Sequence, residues 1–204
     1  MLQPARKLTS VASVMQQGIA SAERVFSILD VKLNNQEPQN PIKIDNFNSS
    51  IEFKDVSFTY ESGNKPAINN LNFKINKGEY VALIGESGSG KSTTIDLIMR
   101  FYNPQKGFIQ FDGHNLNDIS KKTLRKQIGI VPQDIILFND SVKNNISYGF
   151  DNPEMEDIVK AVKVANAFDF INELPNGFDT VIGERGSKLS GGQKQRISIG
   201  RAIF

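Results

Sequence analysis

The sequence predicts an α/β domain with an antiparallel β edge sheet and a helical subdomain, preceded by a separate N-terminal helix. Three observations predict it. A short apolar run, residues 79–84, leads straight into Gly85-Glu86-Ser87-Gly88-Ser89-Gly90-Lys91-Ser92-Thr93 and then into a helical stretch ending near Arg100. Two alternating stretches, residues 51–60 and 68–75, come before that run. Residues from about 135 to 200 carry helical patterns with no strand between them.

The elements follow in order. Over residues 1–30, Leu8, Val11, Val14 or Met15, Ile19, Ala22, Phe26 and Leu29 recur every three to four positions, with Arg6, Lys7, Gln16, Gln17, Glu23 and Arg24 opposite. Residues 31–50 shift to Asn, Gln, Pro and Lys and are expected as a linker. The first helix therefore belongs to something other than the domain from residue 51 to 204: a packing helix, a coiled-coil piece, or the tail of a preceding domain. In 51–60 the alternation slips at Lys54-Asp55, which predicts a bulge. Glu61 to Pro66 is a turn, and 79–84 is expected as a buried strand.

After the helix that follows Gly90, residues 108–111 form a further strand and Asp112-Gly113 a hairpin turn. Ser120 is placed to cap a short helix holding Leu124. Ile128 to Val131 is a core strand stopped by Pro132, which leaves Gln133 at its carboxyl end. Residues 140–146 and 153–174 are helical, the second with Asn152 as cap and Pro153 at the first position. A last helix starts near Gly191.

The loop at 85–93 fits G-x-x-x-x-G-K-[ST]. Its glycines free the backbone so that the amides of Gly88, Ser89, Gly90, Lys91 and Ser92 can turn inward on phosphate oxygens. The helix opening at Lys91 adds unpaired N–H groups and the positive end of its dipole. Lys91 is placed to reach the β- and γ-phosphates, and the Ser92 hydroxyl suits Mg²⁺, a hard cation that prefers oxygen.

Composition narrows the field. The 204 residues are 39% hydrophobic and 23% charged, which is globular. A formal net charge of +2 gives no electrostatic case for nucleic acid. With no cysteine there is no disulfide and no thiolate metal site, a usage that fits a reducing compartment. His114 is the only histidine and is expected at a surface turn. No apolar run is long enough to span a membrane, and no signal peptide is visible.

Further along, Leu189-Ser190-Gly191-Gly192-Gln193 sets a serine and two glycines at a helix start, a second anion-binding geometry in a chain with one phosphate loop. Together with the loop at 85–93, this segment resembles the signature of ABC ATPases, and its extension through Gln195-Arg196 fits as well. The resemblance covers nearly the whole chain and is closest to bacterial lipid and multidrug exporters with fused membrane and ATPase domains. Gly183-Glu184-Arg185-Gly186 looks like the segment that precedes the signature in such exporters. Residues 1–30 look like the cytoplasmic end of the last membrane helix and its run-in.

The resemblance implies ATP and Mg²⁺ as cofactors. Tyr60 matches the aromatic that stacks on adenine, and Gln133 matches the glutamine that bridges Mg²⁺ and the membrane-domain contact. Glu86, Ser87, Gly88, Ser89, Gly90, Lys91, Ser92 and Thr93 become the ATP-binding loop, with Lys91 and Gln133 in catalytic roles and Ser92 and Gln133 toward the metal. Ser190, Gly191, Gly192 and Gln193 become the signature that closes on the ATP of a second ABC ATPase domain, head to tail. A membrane domain of the same parent chain is the other implied partner, and nucleic acid is not one.

The family continues past Ile203 with an apolar strand ending in Asp-Glu, and then a switch histidine. Residues 1–204 hold neither, so the chain is expected to be an internal fragment that turns over little ATP alone and exposes apolar surface. The expected function is the ATP-binding domain of an exporter at the cytoplasmic face of the membrane. The alternatives are a soluble ABC-type ATPase of DNA repair or translation and a non-hydrolysing nucleotide-binding fragment. The repair type parts its two motifs by a long coiled coil that is absent between 93 and 189, and the exporter-like N-terminal helix argues against both soluble types.

Overall fold

A four-stranded antiparallel sheet carries the first half of the domain. Its central strand β1 (Ser50–Phe58) pairs with β2 (Ile68–Asn76) on one side and β3 (Lys106–Phe111) on the other, and β3 pairs with the short β4 (His114–Asn115). The computed structural model describes residues 3–30 and 37–204. Residues 1, 2 and 31–36, where the sequence places the start of the first helix and the first part of the linker, lie outside the described residues. The chain divides after Gln36 into two units.

The first unit contains α1 (Gln3–Leu29). Along it Val11, Ile19, Phe26 and Leu29, the apolar recurrence of the sequence, are all exposed.

In the second unit the bulge sits where the alternation slips. Phe53 and Val56 are three residues apart, an odd step that places them on opposite faces of a regular strand. The register shifts between them on the β2 side and between Lys54 and Ser57 on the β3 side, and Asp55 takes φ 51°. The extra residue returns Phe53, Val56 and Phe58 to one face, all buried. A reciprocal pair closes the bulge: the Asp55 N–H donates to Asn72 Oδ1 at 2.8 Å and Asn72 Nδ2 donates to Asp55 Oδ1 at 2.9 Å.

That buried face, with Ile109 and Phe111, packs on Leu97 of α2 (Lys91–Ile98) and on Leu116, Ile119 and Leu124, the last from α3 (Lys121–Lys126). Ser120 stands at the cap position of α3 as expected, but its hydroxyl makes no cap bond there. His114 is exposed, in β4. The hairpin turn has both central residues at positive φ, Asp112 at 52° and Gly113 at 83°. The Asp112 carboxylate accepts the N–H groups of Asn48, Ser49 and Ser50 at 2.7, 2.6 and 3.0 Å, which fixes the entry to β1.

Several expectations need correction. Residues 37–49 are not free linker: Ile42 bridges to Ile119, its N–H donating to the Asp118 carbonyl at 2.8 Å, and Ile44 is buried. Residues 79–84 do not form a strand. They join no ladder, and Tyr80 and Ile84 are 103% and 94% exposed. Residues 128–131 join no ladder either. An apolar run becomes a buried strand only when neighbours bond both its edges. Among the described residues no strand lies beside either run.

A further correction lies in the helical half, whose core is built by α4 (Val142–Ile146), α5 (Met155–Val164), α6 (Phe168–Asn172) and α7 (Gly191–Ile203). The single helix expected over 153–174 is two. Asn166 takes φ 52°, which breaks the helix between the buried Ala165 and Ala167, and the cap of α5 is Glu154 rather than Asn152. Ile146, Ile158, Val162, Ile171, Ile182 and Ile197 form its interior. The run at 128–131 passes close to the end of α7: a Cβ on Gly129 would stand 2.2 Å from the Ala202 carbonyl oxygen.

Candidate functional site

The glycine loop enters α2 through Gly90, which caps the helix in the left-handed conformation at φ 90°. A Cβ there would stand 2.4 Å from the Ala67 carbonyl oxygen and 3.3 Å from Ile68 Cγ1, so only glycine lets the helix start lie this close to β2. Leu97, fully buried, anchors the helix to the sheet. At the other end the Arg125 guanidinium donates to the carbonyls of Met99 and Arg100 at 3.1 and 3.2 Å, a cation set against the negative end of the helix. The helix is therefore held at both ends, and its first-turn amides face the loop.

Lys91 folds back over that loop. Its Nζ donates to the carbonyls of Gly85 and Glu86 at 2.8 and 2.6 Å and contacts Ser89 Oγ at 3.2 Å. The ammonium thus sits among oxygens at the mouth of the loop, where the oxygens of a phosphate can exchange with them. Ser92 is exposed on the first turn, and Thr93 is buried with its Oγ1 3.0 Å from the Tyr60 hydroxyl. Glu86, Ser87, Gly88, Ser89, Gly90, Lys91, Ser92, Thr93 and Tyr60 therefore come together at one end of α2. Just upstream, the Glu79 carboxylate accepts from the N–H and side-chain amide of Asn76 at 2.7 and 3.0 Å. Those two bonds, the side-chain one first, hold its carboxyl below the usual carboxylate range.

Gln133 is exposed on a bend after the run at 128–131. No hydrogen bond among the described residues joins it to Lys91 or Ser92.

The second motif starts α7. Ser190 is the cap: its Oγ accepts the Gln193 N–H at 3.3 Å, and Gln193 Oε1 accepts the Ser190 N–H at 2.9 Å, a complete capping box. Gly191 and Gly192 behave unlike Gly90. A Cβ added to either meets nothing within 4 Å, so the packing of this chain asks for no glycine there. The pair leaves the helix start open to an approaching group. No hydrogen bond or ion pair among the described residues links this motif to the loop at 85–93.

One polar cluster escaped the sequence reading. Arg201 of α7 donates from Nε to the Asn145 carbonyl at 2.7 Å, from Nη1 to the Ile136 carbonyl at 2.8 Å and from Nη2 to Asn145 Oδ1 at 3.1 Å. Asn145, fully buried, also accepts the Phe138 N–H at 2.8 Å and donates to the carbonyls of Phe138 and Ser141, each at 3.0 Å. Burial pulls the Arg201 guanidinium below its ordinary value, with Tyr148 acting against the shift. The cluster ties α7, and with it the Ser190 motif, to the chain just after Gln133. Its one local signal was an asparagine on α4 between Val142 and Ile146, both fully buried.

The fold and the loop together define an ATPase domain of the P-loop class. Comparison with known proteins gives the family. The family model described as ABC transporter matches residues 68–204. The chain is 48% identical over 202 residues to the ATP-dependent lipid A-core flippase of Syntrophus aciditrophicus (strain SB), covering 99% of this chain and 33% of the relative. It is 43% identical over 204 residues to YgaD of Bacillus subtilis (strain 168), an ATP-binding/permease protein named for multidrug export, covering 100% of this chain and 35% of the relative. Among solved structures, a bacterial Atm1-family ABC exporter with ATP bound matches with a TM-score of 0.83 at 38% identity, over 99% of this chain and 35% of that one. The chain belongs to the ABC transporter family and carries its ATP-binding domain. It spans about a third of the length of the curated relatives it matches.

Proposed function

We propose that residues 51–204 are the ATPase portion of an exporter and that residues 1–30 are the cytoplasmic end of the last helix of its membrane domain. The parent protein binds Mg·ATP, hydrolyses it and couples the cycle to export from the cytoplasmic face of a membrane. The observation that carries this is Lys91 at the mouth of its loop, at the start of a helix fixed at both ends.

Each residue has a part. The amides of Gly88, Ser89, Gly90, Lys91 and Ser92 cradle the phosphates, and Lys91 exchanges its loop oxygens for β- and γ-phosphate oxygens. Tyr60 stacks on the base, and Thr93 lies beneath it. Ser92 offers an exposed hydroxyl oxygen on the first turn. Among the described residues no cluster of three His, Cys, Asp or Glu offers a rival metal site. A cation held by one hydroxyl, phosphate oxygens and water, with Gln133 as a further oxygen donor, fits Mg²⁺, which keeps several waters. When bound, that ion neutralises charge on the phosphate oxygens.

Partners follow from the surface. Open space around Gly191 and Gly192 supports closure of Ser190, Gly191, Gly192 and Gln193 on ATP held by a second such domain, head to tail. Shortly after Gln133, Ile136 and Phe138 stay exposed, and the exposed Tyr148 ring stacks on that of Phe138 at 4.3 Å. An exposed apolar patch of this kind suits a segment of the membrane domain. No helix among the described residues is long and apolar enough to cross a membrane.

The test uses the full-length parent protein in lipid. Wild type should hydrolyse ATP with Mg²⁺, and Lys91→Ala should lose about 100-fold or more of the rate, the scale of removing one charge-stabilising donor. Wild-type turnover in Lys91→Ala would sink the proposal.

A further inference from the structure

Tyr60 is gripped by Thr93, Phe58 and Tyr102, and Thr59 before it by Gln105; Tyr102 and Gln105 come from one turn that neither motif includes. At its tip the hydroxyl lies 3.0 Å from Thr93 Oγ1 in the first turn of α2. Around its ring, Phe58 and Tyr102 both stand edge-to-face, at 4.9 Å and 83° and at 5.2 Å and 86°. Phe58 and Tyr102 also touch each other, with centroids 5.2 Å apart, so the three rings form a closed set. Phe58 is buried in the sheet core, whereas Tyr102 is 42% exposed and takes no part in either core.

The backbone before Tyr60 is gripped as well. Gln105 Oε1 accepts the Thr59 N–H at 2.8 Å, and Gln105 Nε2 donates to the Thr59 carbonyl at 2.7 Å. The Gln105 N–H in turn donates to the Ser57 carbonyl at 3.0 Å. A side-chain amide thus stands in for a neighbouring strand where β1 has ended.

Tyr102 and Gln105 both lie in the turn that follows α2. Thr93 lies at the start of the same helix. A residue just past the end of a strand is ordinarily free to move, and freezing it on binding costs affinity. Here the cost is met before any ligand arrives.

We propose that Tyr102 and Gln105 are positioning residues for base recognition, holding Tyr60 as a preset stacking plate in register with the phosphate loop. The proposal rests on the ATP-binding role of Tyr60 and deepens it. It makes base affinity, but not phosphate affinity, depend on a turn outside the glycine loop.

The experiment measures binding of ATP and of inorganic triphosphate, a probe without a base, to the full-length parent protein and its variants. Wild type is measured first: if it binds neither probe, the ATP-binding role itself is wrong and this proposal falls with it. With wild-type binding in hand, Tyr102→Ala should weaken ATP about three- to tenfold, the range of a lost aromatic contact, and leave triphosphate unchanged. Gln105→Ala should shift ATP in the same direction and spare triphosphate. Tyr102→Phe keeps the edge-to-face ring and should restore ATP affinity. In turnover, Tyr102→Ala should raise KM for ATP with kcat held. Unchanged ATP binding in Tyr102→Ala would overturn the proposal, and so would equal loss of ATP and triphosphate, which marks a merely structural role.

Discussion

Arg201 spends its planar fork on two carbonyls and one buried amide oxygen, all on elements that precede it by more than fifty residues. Charged hydrogen bonds of this kind are worth more than neutral ones, and removing the donor leaves Asn145 Oδ1 with one partner fewer in a fully buried site. Arg201→Ala should therefore lower the stability of the chain by about 2–4 kcal/mol, read as a fall in the urea midpoint. Lysine should not restore it, because one ammonium cannot serve three acceptors spread in a plane. Beyond Asn145 between Val142 and Ile146 on α4, no local pattern in the sequence announces this. The residues meet only when α7 lies across α4, and pairing at that separation is not written in either helix.

At the scale of elements, two helix starts use glycine for opposite reasons. Gly90 of the α2 entry has positive φ and a backbone oxygen in the way of any Cβ, so Gly90→Ala should cost about 1–3 kcal/mol of chain stability. Gly191 and Gly192 of α7 have room for a methyl group, and alanine is the better helix former. Gly191→Ala and Gly192→Ala should leave the melting temperature of the chain unchanged or slightly raised while lowering ATP turnover in the parent. A thermal melt set beside a turnover assay separates the two cases. An early melt for Gly191→Ala would remove the claim that the pair serves an outside group.

The same scale shows what a sequence can and cannot announce. The bulge at Lys54-Asp55, the Asp112-Gly113 hairpin and the helix start at Gly191 were legible because each is set within a few residues. The break at Asn166 was not, since the apolar recurrence of Ile158, Val162 and Ile171 runs through it without a proline or glycine. Residues 79–84 misled for a different reason. Their composition is right for a strand, but a strand is a relation between neighbours, and composition says nothing about which neighbours lie alongside. The loop at 85–93 was legible as a set, whereas the grip of Tyr102 and Gln105 on its aromatic plate depends on ring angles that no spacing encodes.

At the scale of the whole molecule, the second unit has two interiors rather than one. The sheet interior runs from Ile44 to Leu124 and carries the phosphate loop; the helical interior runs from Leu137 to Ile197 and carries the Ser190 motif. Cores that share no buried residue open separately when one is weakened. Ile158→Ala leaves a cavity worth about 2–5 kcal/mol in the helical interior. Native-state amide exchange should then quicken across α5 and α7 while the amides of Phe53 and Ile109 keep their protection. Equal quickening in both halves would mean that the two interiors form a single cooperative block.

The two interiors also do not interleave along the chain, since every buried member of the first precedes every buried member of the second. Protein synthesis delivers residues in that order, at about 5–20 per second. The sheet half can thus settle on the ribosome while the helical half is still being made, so the earlier structure can serve as a template for the later one. A mistake in the second half then reaches a ribosome-bound chain whose first half is already in place.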